Sequence, residues 1–297
     1  MLNLTFKPHK CGHEIKFEYG KRRELQKPRF FPDQCTHHVM ILLIYDKIIK
    51  RIDPHAMANI KNRGIKSCKK ILEYWIQKRH KRETTYCGKG DIRHCFESIS
   101  PEVAYSVFTR MIKDKKYLEI MRRIIFSWKN LPLGNYLSAW IVNLLLKDLD
   151  SKIRSCKCVT HYLRYMDDFV FFSSNRRKAK LLKEIIIKEL AKIGLTLKSN
   201  YQLFKIDDRG LDIVGYRFFR YYTILRKRNF KRILKHSNII KRRKLYNYHN
   251  CISIISKIGF AKLCNSRYLY YHIGKLINFA RVKQVIRNFF NDKKRSV

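Results

Sequence analysis

The sequence predicts an α+β fold built around an antiparallel sheet. Hydrophobic residues make up 45% of the 297 residues, which is enough to bury a substantial core. Two aromatic and β-branched runs, His161–Arg164 and Phe169–Phe172, flank a short turn and predict the two strands of a hairpin. Strands and amphipathic helices alternate along the chain, but the antiparallel hairpin favours an α+β arrangement over a doubly wound parallel sheet.

Hydrophobic periodicity predicts four helices around these strands. Gly64 separates the first two, and Asn175 is a suitable N-cap for the last. A further strand takes in Thr84–Tyr86 and Ile92, after which Ser100-Pro101 opens another helix. The four predicted helices span Val39–Arg51, Ile65–Arg82, Asn135–Ile153 and Asn175–Ile193.

The charge balance is strongly one-sided. Lys and Arg total 66 against 23 Asp and Glu, which leaves a formal net charge of +43. A polycation of this size repels itself when compact, and a bound polyanion compensates for this repulsion. The basic residues are spread along the chain among 18 Tyr and 18 Phe, so a disordered basic tail does not explain them. We therefore predict a nucleic-acid-binding protein whose affinity falls as salt rises.

Cysteine spacing and hydropathy predict the compartment. The nine cysteines form no C-x-x-C pair, which indicates free thiols in a reducing cytoplasm rather than zinc ligands or disulfides. The first residues lack the apolar core of a signal peptide. The most apolar predicted helix is short and is interrupted by Asp46 and Lys47, so it cannot span a bilayer. We expect a cytoplasmic protein without a membrane partner.

Three carboxylates suggest the chemistry. Asp167 and Asp168 lie at the tip of the predicted hairpin, where adjacent negative charges are costly unless a cation is bound. Asp91 lies near the end of the predicted upstream strand and can face the hairpin. Three carboxylates from two strands can hold two Mg²⁺ about 4 Å apart, the arrangement that serves phosphoryl displacement. The alternative interpretation of the Asp167-Asp168 pair is turn chemistry alone.

In the segments that carry these carboxylates, the chain resembles the reverse transcriptases. The segment from Asp91 to Ile99 is similar to the first catalytic-aspartate motif of that family, and Tyr165–Asp168 is similar to its second carboxylate motif. By this resemblance Asp91 and Asp167 bridge two Mg²⁺, Asp168 lies next to them and Ile92 lends a backbone carbonyl. Mn²⁺ is an alternative ion.

The resemblance extends to residues that contact nucleotide and primer. Lys21 and Arg23 match a basic motif that grips the triphosphate. Phe96 corresponds to a ring that leaves no room for a 2′-hydroxyl. Leu131–Asn143, which includes Ser138 and Ala139, resembles the segment that contacts template and incoming nucleotide. From its place in the predicted helix, Ser138 is expected to be more exposed to ligand than the leucines, and the alternative is that Ser138 caps the helix. The hairpin around Gly215 and Tyr216 resembles the primer grip.

Two positions depart from the family pattern. Ala139 stands where the family usually carries Gln, which affects selectivity and fidelity rather than chemistry. Tyr201 stands where the family often carries a lysine that protonates the pyrophosphate leaving group. Lys198 is the nearest cation and is the candidate general acid, and the alternative is that Lys198 is one of many surface charges.

The resemblance implies a right-hand polymerase. Residues 1–222 are expected to form the fingers and a palm with an antiparallel sheet, and residues 223–297 a basic helical thumb. The implied partners are template RNA, the RNA–DNA hybrid and dNTPs. Since nothing follows the predicted thumb, we expect a minimal polymerase whose structured RNA and accessory protein are encoded separately.

The motifs are most similar to those of compact bacterial and phage enzymes, and within these to the diversity-generating retroelement type. Arg164 before the hairpin and Gly215-Tyr216-Arg217 carry this similarity. A phage-defence reverse transcriptase of an unclassified bacterial group, template-independent nucleotide addition and a catalytically silent RNA-binding protein are the alternatives.

Overall fold

The computed structural model describes residues 6–18 and 20–295, and the chain divides into two compact units. The first unit comprises Met1–Cys68 and Arg82–Phe204, and the second comprises Lys69–Lys81 and Lys205–Val297. The predicted division between residues 222 and 223 falls inside the second unit. As a division of function it stays a prediction.

The strands of the first unit form a hairpin and a larger sheet. The hairpin, which the sequence did not predict, pairs β1 with β2 in antiparallel register, and Gln26 N–H of β2 donates to the Leu133 carbonyl. The five-stranded sheet has the order β4-β5-β3-β6, with β7 also paired to β3. The strands are β1 Gly12–Glu18, β2 Lys21–Lys27, β3 Tyr86–Arg93, β4 His161–Tyr165, β5 Asp168–Ser173, β6 Thr196–Leu197 and β7 Gln202–Lys205.

Strand β3 is the centre of the larger sheet. Its first six residues pair antiparallel with β5, and its last two, Ile92 and Arg93, pair antiparallel with β6. The predicted hairpin is confirmed as β4 and β5, which pair from His161↔Phe172 to Tyr165↔Asp168. The antiparallel sheet confirms the predicted α+β class.

Two glycines of β3 make room for phenylalanine rings of β5. Gly88 lies directly opposite Phe171, and Gly90 lies opposite Phe169. A Cβ at Gly88 would lie 2.1 Å from the Phe171 ring, and one at Gly90 would lie 2.3 Å from the Phe169 ring. Both rings are fully buried, so they occupy the space that side chains on β3 would otherwise fill.

Apart from α3, which runs from the first unit into the second, seven helices surround a core that includes Phe169, Phe171 and the apolar face of the helix after Asn135. Asn135 and Asn175 accept hydrogen bonds from backbone N–H groups as helix caps, and Ser100 does the same. The helices are α1 Cys35–Leu42, α2 Tyr45–Ile49, α3 Ile65–Glu73, α4 Pro101–Thr109, α5 Lys115–Ile125, α6 Tyr136–Leu145, α7 Lys147–Ser155 and α8 Arg176–Ala191.

Three of the predicted helices are shorter than their periodicity indicates. The segment Val39–Arg51 divides into α1 and α2, because Ile44 leaves the helical region at φ −121° and ψ 12°. Ile65–Arg82 is helical to Glu73, continues as a π-helical turn and ends where Arg79 becomes extended. The helix predicted from Asn135 divides at Leu146. Apolar residues keep helical spacing across these breaks, so periodicity alone does not signal them.

The second unit contains a small sheet and a group of helices. Its sheet has the order β10-β9-β8, and all pairs are antiparallel. The turn between β8 and β9 uses positive φ angles at Val214 (45°) and Gly215 (90°), which suit a tight hairpin. The remaining elements are α9 Ile206–Arg209, β8 Leu211–Ile213, β9 Tyr216–Phe218, β10 Thr223–Leu225, α10 Lys227–Arg243, α11 Tyr248–Ala261, α12 Arg267–Gly274 and α13 Phe279–Arg295.

All nine cysteines lie among the described residues and are free, as the spacing predicts. In the described part of the chain, none of the helices is both long and apolar enough to cross a membrane.

Candidate active site

The three predicted carboxylates meet at one end of the β4-β5-β3 sheet. Asp168, the first residue of β5, lies opposite Tyr165 of β4 on one side and opposite Asp91 of β3 on the other. Met166 takes a left-handed conformation with φ 58°, which closes the turn that carries Asp167. The Ile92 N–H donates to the Asp167 carbonyl over 3.2 Å, so the turn is also attached to β3. The sheet register therefore brings Asp91, Asp167 and Asp168 together.

Negative charge is concentrated here. The pKa of Asp167 is raised to about 6, chiefly by burial and also by the neighbouring charges of Asp91 and Asp168. The positive charge of Arg23 on β2 acts in the opposite direction, so its field reaches this carboxylate. A cation at the site would stabilise the ionised carboxylates.

Lys198 supplies one positive charge from the loop after β6. Its Nζ lies 2.5 Å from Asp91 Oδ2, and its backbone N–H donates to the Asp91 carbonyl over 2.9 Å. The hydrogen bond to Asp91 is the largest cause that raises the pKa of Lys198, which keeps the ammonium charged. Tyr201 does not take this position, because its hydroxyl is buried in the protein interior.

The chemistry of the donor set fits divalent cations. Carboxylate oxygens are the ligands of hard cations such as Mg²⁺, and the charges of Asp91, Asp167 and Asp168 repel one another. Within residues 6–18 and 20–295, no three His, Cys, Asp or Glu side chains are already grouped to hold a metal ion. Asp91 is instead paired with Lys198.

A buried ion pair lies beneath the turn. Arg164 of β4 donates from Nε to Asp150 Oδ1 over 2.8 Å and from Nη2 to Asp150 Oδ2 over 2.7 Å, and both side chains are 0% exposed. The Tyr162 hydroxyl donates to the same Oδ1 over 2.6 Å. Burial alone would lower the pKa of Arg164, but Asp150 holds it above its usual value, so the guanidinium stays charged.

This ion pair fixes the turn that carries Asp167. The third nitrogen of Arg164, Nη1, donates to the Met166 carbonyl and to Asn143 Oδ1, each over 3.0 Å. Asn143 lies on α6 and in turn donates to the Ala58 carbonyl over 3.1 Å. One guanidinium therefore connects the turn to both α6 and α7.

The role of Asp150 was missed by sequence reasoning. It lies on α7 between apolar positions that face the core, Leu149 and Ile153, and all three are buried. An acid on the apolar stripe of a helix is a signal for a buried partner. The sequence does not indicate that this partner is Arg164, because the two residues meet only after α7 packs against β4.

The predicted nucleotide contacts are partly accessible. Phe96 lies in the turn that follows β3 and is partly buried against the core, and Ala139 is half-buried. Ser138 is fully buried, so the expectation that it is exposed to ligand is wrong. The Ser138 position turns inward with the apolar face of α6, and its hydroxyl finds no hydrogen-bond partner among the described residues. The side chain of Lys21 lies outside the described residues.

The predicted primer grip lies in the second unit. Gly215 has φ 90°, and its carbonyl accepts from the Arg226 N–H over 3.0 Å and from Asn229 Nδ2 over 3.3 Å. Tyr216 is fully buried, stacks on Phe260 and donates from its hydroxyl to the Phe260 carbonyl. The Tyr216 ring is therefore part of the core, and its strand pairs with β8 on one side and with β10 on the other.

The family of the chain follows from its match to a protein-family model. The model of the reverse transcriptase (RNA-dependent DNA polymerase) family matches residues 36–218, well over half of the chain. The chain belongs to the reverse transcriptase family. The matched range contains Asp91, Asp167 and Asp168. The family is one of RNA-directed DNA polymerases, which are nucleotidyltransferases that use divalent metal ions. None of the curated proteins matches the sequence significantly.

Solved structures support the fold. Telomerase from Candida tropicalis in complex with the TWJ fragment of telomeric RNA matches 97% of this reverse transcriptase, with a TM-score of 0.54 and 13% identity. Telomerase from Candida albicans with the same RNA fragment matches 96%, with a TM-score of 0.52 and 11% identity. The chain spans 55% and 58% of these proteins. The similarity confirms the predicted right-hand polymerase fold with its mixed helices and antiparallel sheet.

The substitution Arg164→Lys should lower the free energy of unfolding by about 3 kcal/mol, because a single ammonium cannot replace the fork of hydrogen bonds to Asp150, Asn143 and Met166. Arg154→Lys is the matched control, since Arg154 is 42% exposed and pairs with Asp53, and it should cost less than about 1 kcal/mol. Urea unfolding followed by tryptophan fluorescence measures both. Equal losses in the two variants would contradict the role of Arg164.

Proposed function

We propose that this protein synthesises cDNA on an RNA template by two-metal nucleotidyl transfer. The observation that carries the proposal is the register that places Asp91 opposite Asp168, with Asp167 in the adjoining turn. The family match supports the reaction class. The net charge of +43 supports a nucleic-acid substrate.

Two Mg²⁺ ions, or Mn²⁺ in their place, are the proposed cofactors. Asp91 and Asp167 would hold both ions, Asp168 would hold charge beside them and Ile92 would contribute its backbone carbonyl. When bound, such ions stabilise the attacking and leaving oxygens of a phosphoryl displacement. The protein's own contribution is a rigid sheet end that presents the carboxylates at fixed positions.

The incoming nucleotide is proposed to contact residues from several elements. Lys21 and Arg23 on β2 would bind the triphosphate, and the effect of Arg23 on Asp167 supports this position for Arg23. Phe96 would exclude the 2′-hydroxyl, and Ala139 would border the nucleotide. Ser138 would support the nucleotide-binding residues from the protein interior rather than contact the nucleotide with its side chain, which is buried. The backbone of Gly215 and Tyr216 would support the primer.

Lys198 is the proposed general acid. Its ammonium lies against Asp91 and carries a raised pKa, so it holds a proton at the edge of the carboxylate cluster. Transfer of this proton from Nζ to the leaving pyrophosphate oxygen would lower the barrier to leaving-group departure.

The proposed partners are template RNA, the RNA–DNA hybrid and dNTPs. Complexes of the similar telomerases with telomeric RNA support an RNA partner. A separately encoded structured RNA and an accessory protein complete the proposal. Residues 223–297 would serve as the thumb, because α10 and α13 are rich in Lys and Arg. We place the protein in the cytoplasm, where its free thiols stay reduced.

Among the subfamilies, we favour the diversity-generating retroelement type of compact bacterial and phage enzymes. Arg164 in the sequence before the carboxylate pair and the segment Gly215-Tyr216-Arg217 support this choice. A phage-defence enzyme of an unclassified bacterial group, with template-independent synthesis, is the second candidate, because Ala139 suits either.

Replacing Asp167 by Asn, or Asp91 by Ala, should slow primer extension by at least about 100-fold. Each carboxylate would bind the metal ions, and the ions would stabilise the charge of the transition state by several kcal/mol. RNA binding should survive, since removing negative charge does not weaken attraction to phosphate. Extension of a DNA primer on RNA with Mg²⁺ measures this, and Asp148→Asn, whose side chain is 66% exposed, is the control. Near-normal extension by either variant would remove the site assignment. Product made without template would favour the second candidate.

Replacing Lys198 by Gln should slow nucleotide addition by about 100-fold, in the range typical of a general acid. The loss should shrink with dNTP analogues whose β,γ-difluoromethylene group makes the leaving group less basic. Single-turnover rates with both substrates measure this ratio, and Lys192→Gln provides an exposed-lysine control. A loss of the same size for both substrates would assign Lys198 a purely structural role.

Shrinking Phe96 to Val should raise rNTP incorporation relative to dNTP incorporation, because the ring would no longer meet a 2′-hydroxyl. Competition between paired rNTP and dNTP substrates measures the ratio. Phe126→Val, at an exposed ring outside the proposed pocket, is the matched control. An unchanged ratio would show that Phe96 only packs against the core.

Introducing Gln at position 139 should lower misincorporation several-fold, because an added amide contributes on the order of 1 kcal/mol of hydrogen bonding beside the templating base. Sequencing of cDNA made by both proteins on one RNA template measures the error spectra. Errors of the parent protein concentrated at template adenine support the retroelement role, and errors spread evenly over the bases favour the defence candidate. Identical spectra would exclude Ala139 as a determinant of fidelity.

A further inference from the structure

A cavity of about 470 Å³ lies within the second unit, apart from the carboxylates. It is formed between the β8-β9-β10 sheet and the helices α10 and α12. Its volume is in the range of pockets that bind small organic groups. The proposed polymerase reaction makes no use of it.

One wall of the cavity is flat and aromatic. The rings of Phe230 on α10 and Tyr268 on α12 are stacked, with centroids 6.4 Å apart and planes 15° apart. Tyr268 is 67% exposed, which leaves most of its surface available to a ligand. The buried side chains Leu225 and Leu269 form the apolar floor beside these rings.

The rim of the cavity is polar and net positive. Arg217 and Lys227 are exposed, whereas Arg226 is bound to Asp212 over 2.5 Å. Three cations therefore face one carboxylate at this rim. This balance favours an anionic group on the ligand.

Asn265 adds a fixed hydrogen-bonding group. Its Oδ1 accepts from the Thr223 N–H over 3.1 Å, and its own backbone N–H donates to the Thr223 carbonyl over 2.8 Å. The carboxamide oxygen is thus bound to the protein, which leaves Nδ2 as the group with which Asn265 would donate to a ligand. A base carbonyl or ring nitrogen is a matching acceptor.

We propose that this cavity binds one unpaired RNA nucleotide, whose base stacks on Tyr268 and whose phosphate lies against Lys227 and Arg217. An exposed aromatic ring next to cations is the combination with which proteins bind single-stranded nucleic acid. A paired base is already stacked within its duplex and cannot enter, so the ligand is a loop, bulge or end of RNA. An apolar peptide would match the floor, but it would leave the cations of the rim without counter-charge.

The test uses the full-length protein and RNA hairpins that carry a single-base bulge. The bulged position holds 2-aminopurine, whose fluorescence falls when it stacks on an aromatic ring. Tyr268→Ala should weaken binding by about ten-fold and abolish the fluorescence decrease, and Tyr268→Phe should retain both. Tyr271→Ala is the matched control, because Tyr271 is 60% exposed on the same helix and does not line the cavity. It should behave like the parent protein.

Two further RNAs distinguish an unpaired nucleotide from an apolar peptide as the occupant of the cavity. An abasic bulge should bind the parent protein about as weakly as the 2-aminopurine bulge binds Tyr268→Ala, and 4-thiouridine at the bulge should crosslink to a peptide containing Tyr268. Equal affinity for abasic and base-containing bulges would overturn the proposal, as would equal binding by Tyr268→Ala and Tyr271→Ala. In those cases the apolar peptide is the better occupant. Because binding is measured without dNTPs, a protein that fails to extend primers but shows Tyr268-dependent binding still supports this site.

Discussion

The ion pair between Arg164 and Asp150 is the interaction on which the candidate active site depends. A buried ion pair adds little net stability compared with apolar residues of similar volume, because removing two charges from water costs several kcal/mol per ion. Its contribution here is to fix the orientation of the groups that it contacts. The planar guanidinium has donors in fixed positions, and these contact α7, α6 and the carbonyl of Met166 at once. The turn that carries Asp167 cannot shift relative to either helix without breaking one of these bonds and leaving a charge unpaired in the interior.

The candidate active site is locally negative, whereas the rest of the chain is strongly positive. The carboxylates repel one another at the end of the sheet, and this repulsion contributes to the raised pKa of Asp167. The chain as a whole carries a formal net charge of +43, so positive charges repel one another away from the site. Lys198 and Arg23 connect the two, because each places positive charge near the carboxylates without filling the site with apolar groups. The proposed Mg²⁺ and triphosphate, which are opposite in charge, would each meet groups of the opposite sign here.

The sequence was sufficient for features that depend on neighbours along the chain. The β4-β5 hairpin, the Asn175 cap and the carboxylate motifs are local, and strand pairing then brings Asp91 to Asp168. Features that depend on packing were missed. Asp150 meets Arg164 only when α7 packs against β4. Ser138 turns inward because α6 is buried on a broad face that takes in this position. The β1-β2 hairpin was not predicted because charged side chains such as Glu14, Lys16 and Arg22 obscure its alternation.

The close fit of Gly88 and Gly90 beneath the rings of Phe171 and Phe169 constrains how this sheet can change over time. A side chain on β3 is tolerable only after the facing ring has become smaller, whereas a smaller ring on β5 opens a void that a β3 side chain could then fill. A substitution that shrinks the β5 side chain must therefore come before one that adds a side chain to β3, and the reverse order is not tolerated. Since the next residue along β3 is Asp91, evolutionary paths through this pair of strands are directional at the point where the candidate chemistry begins.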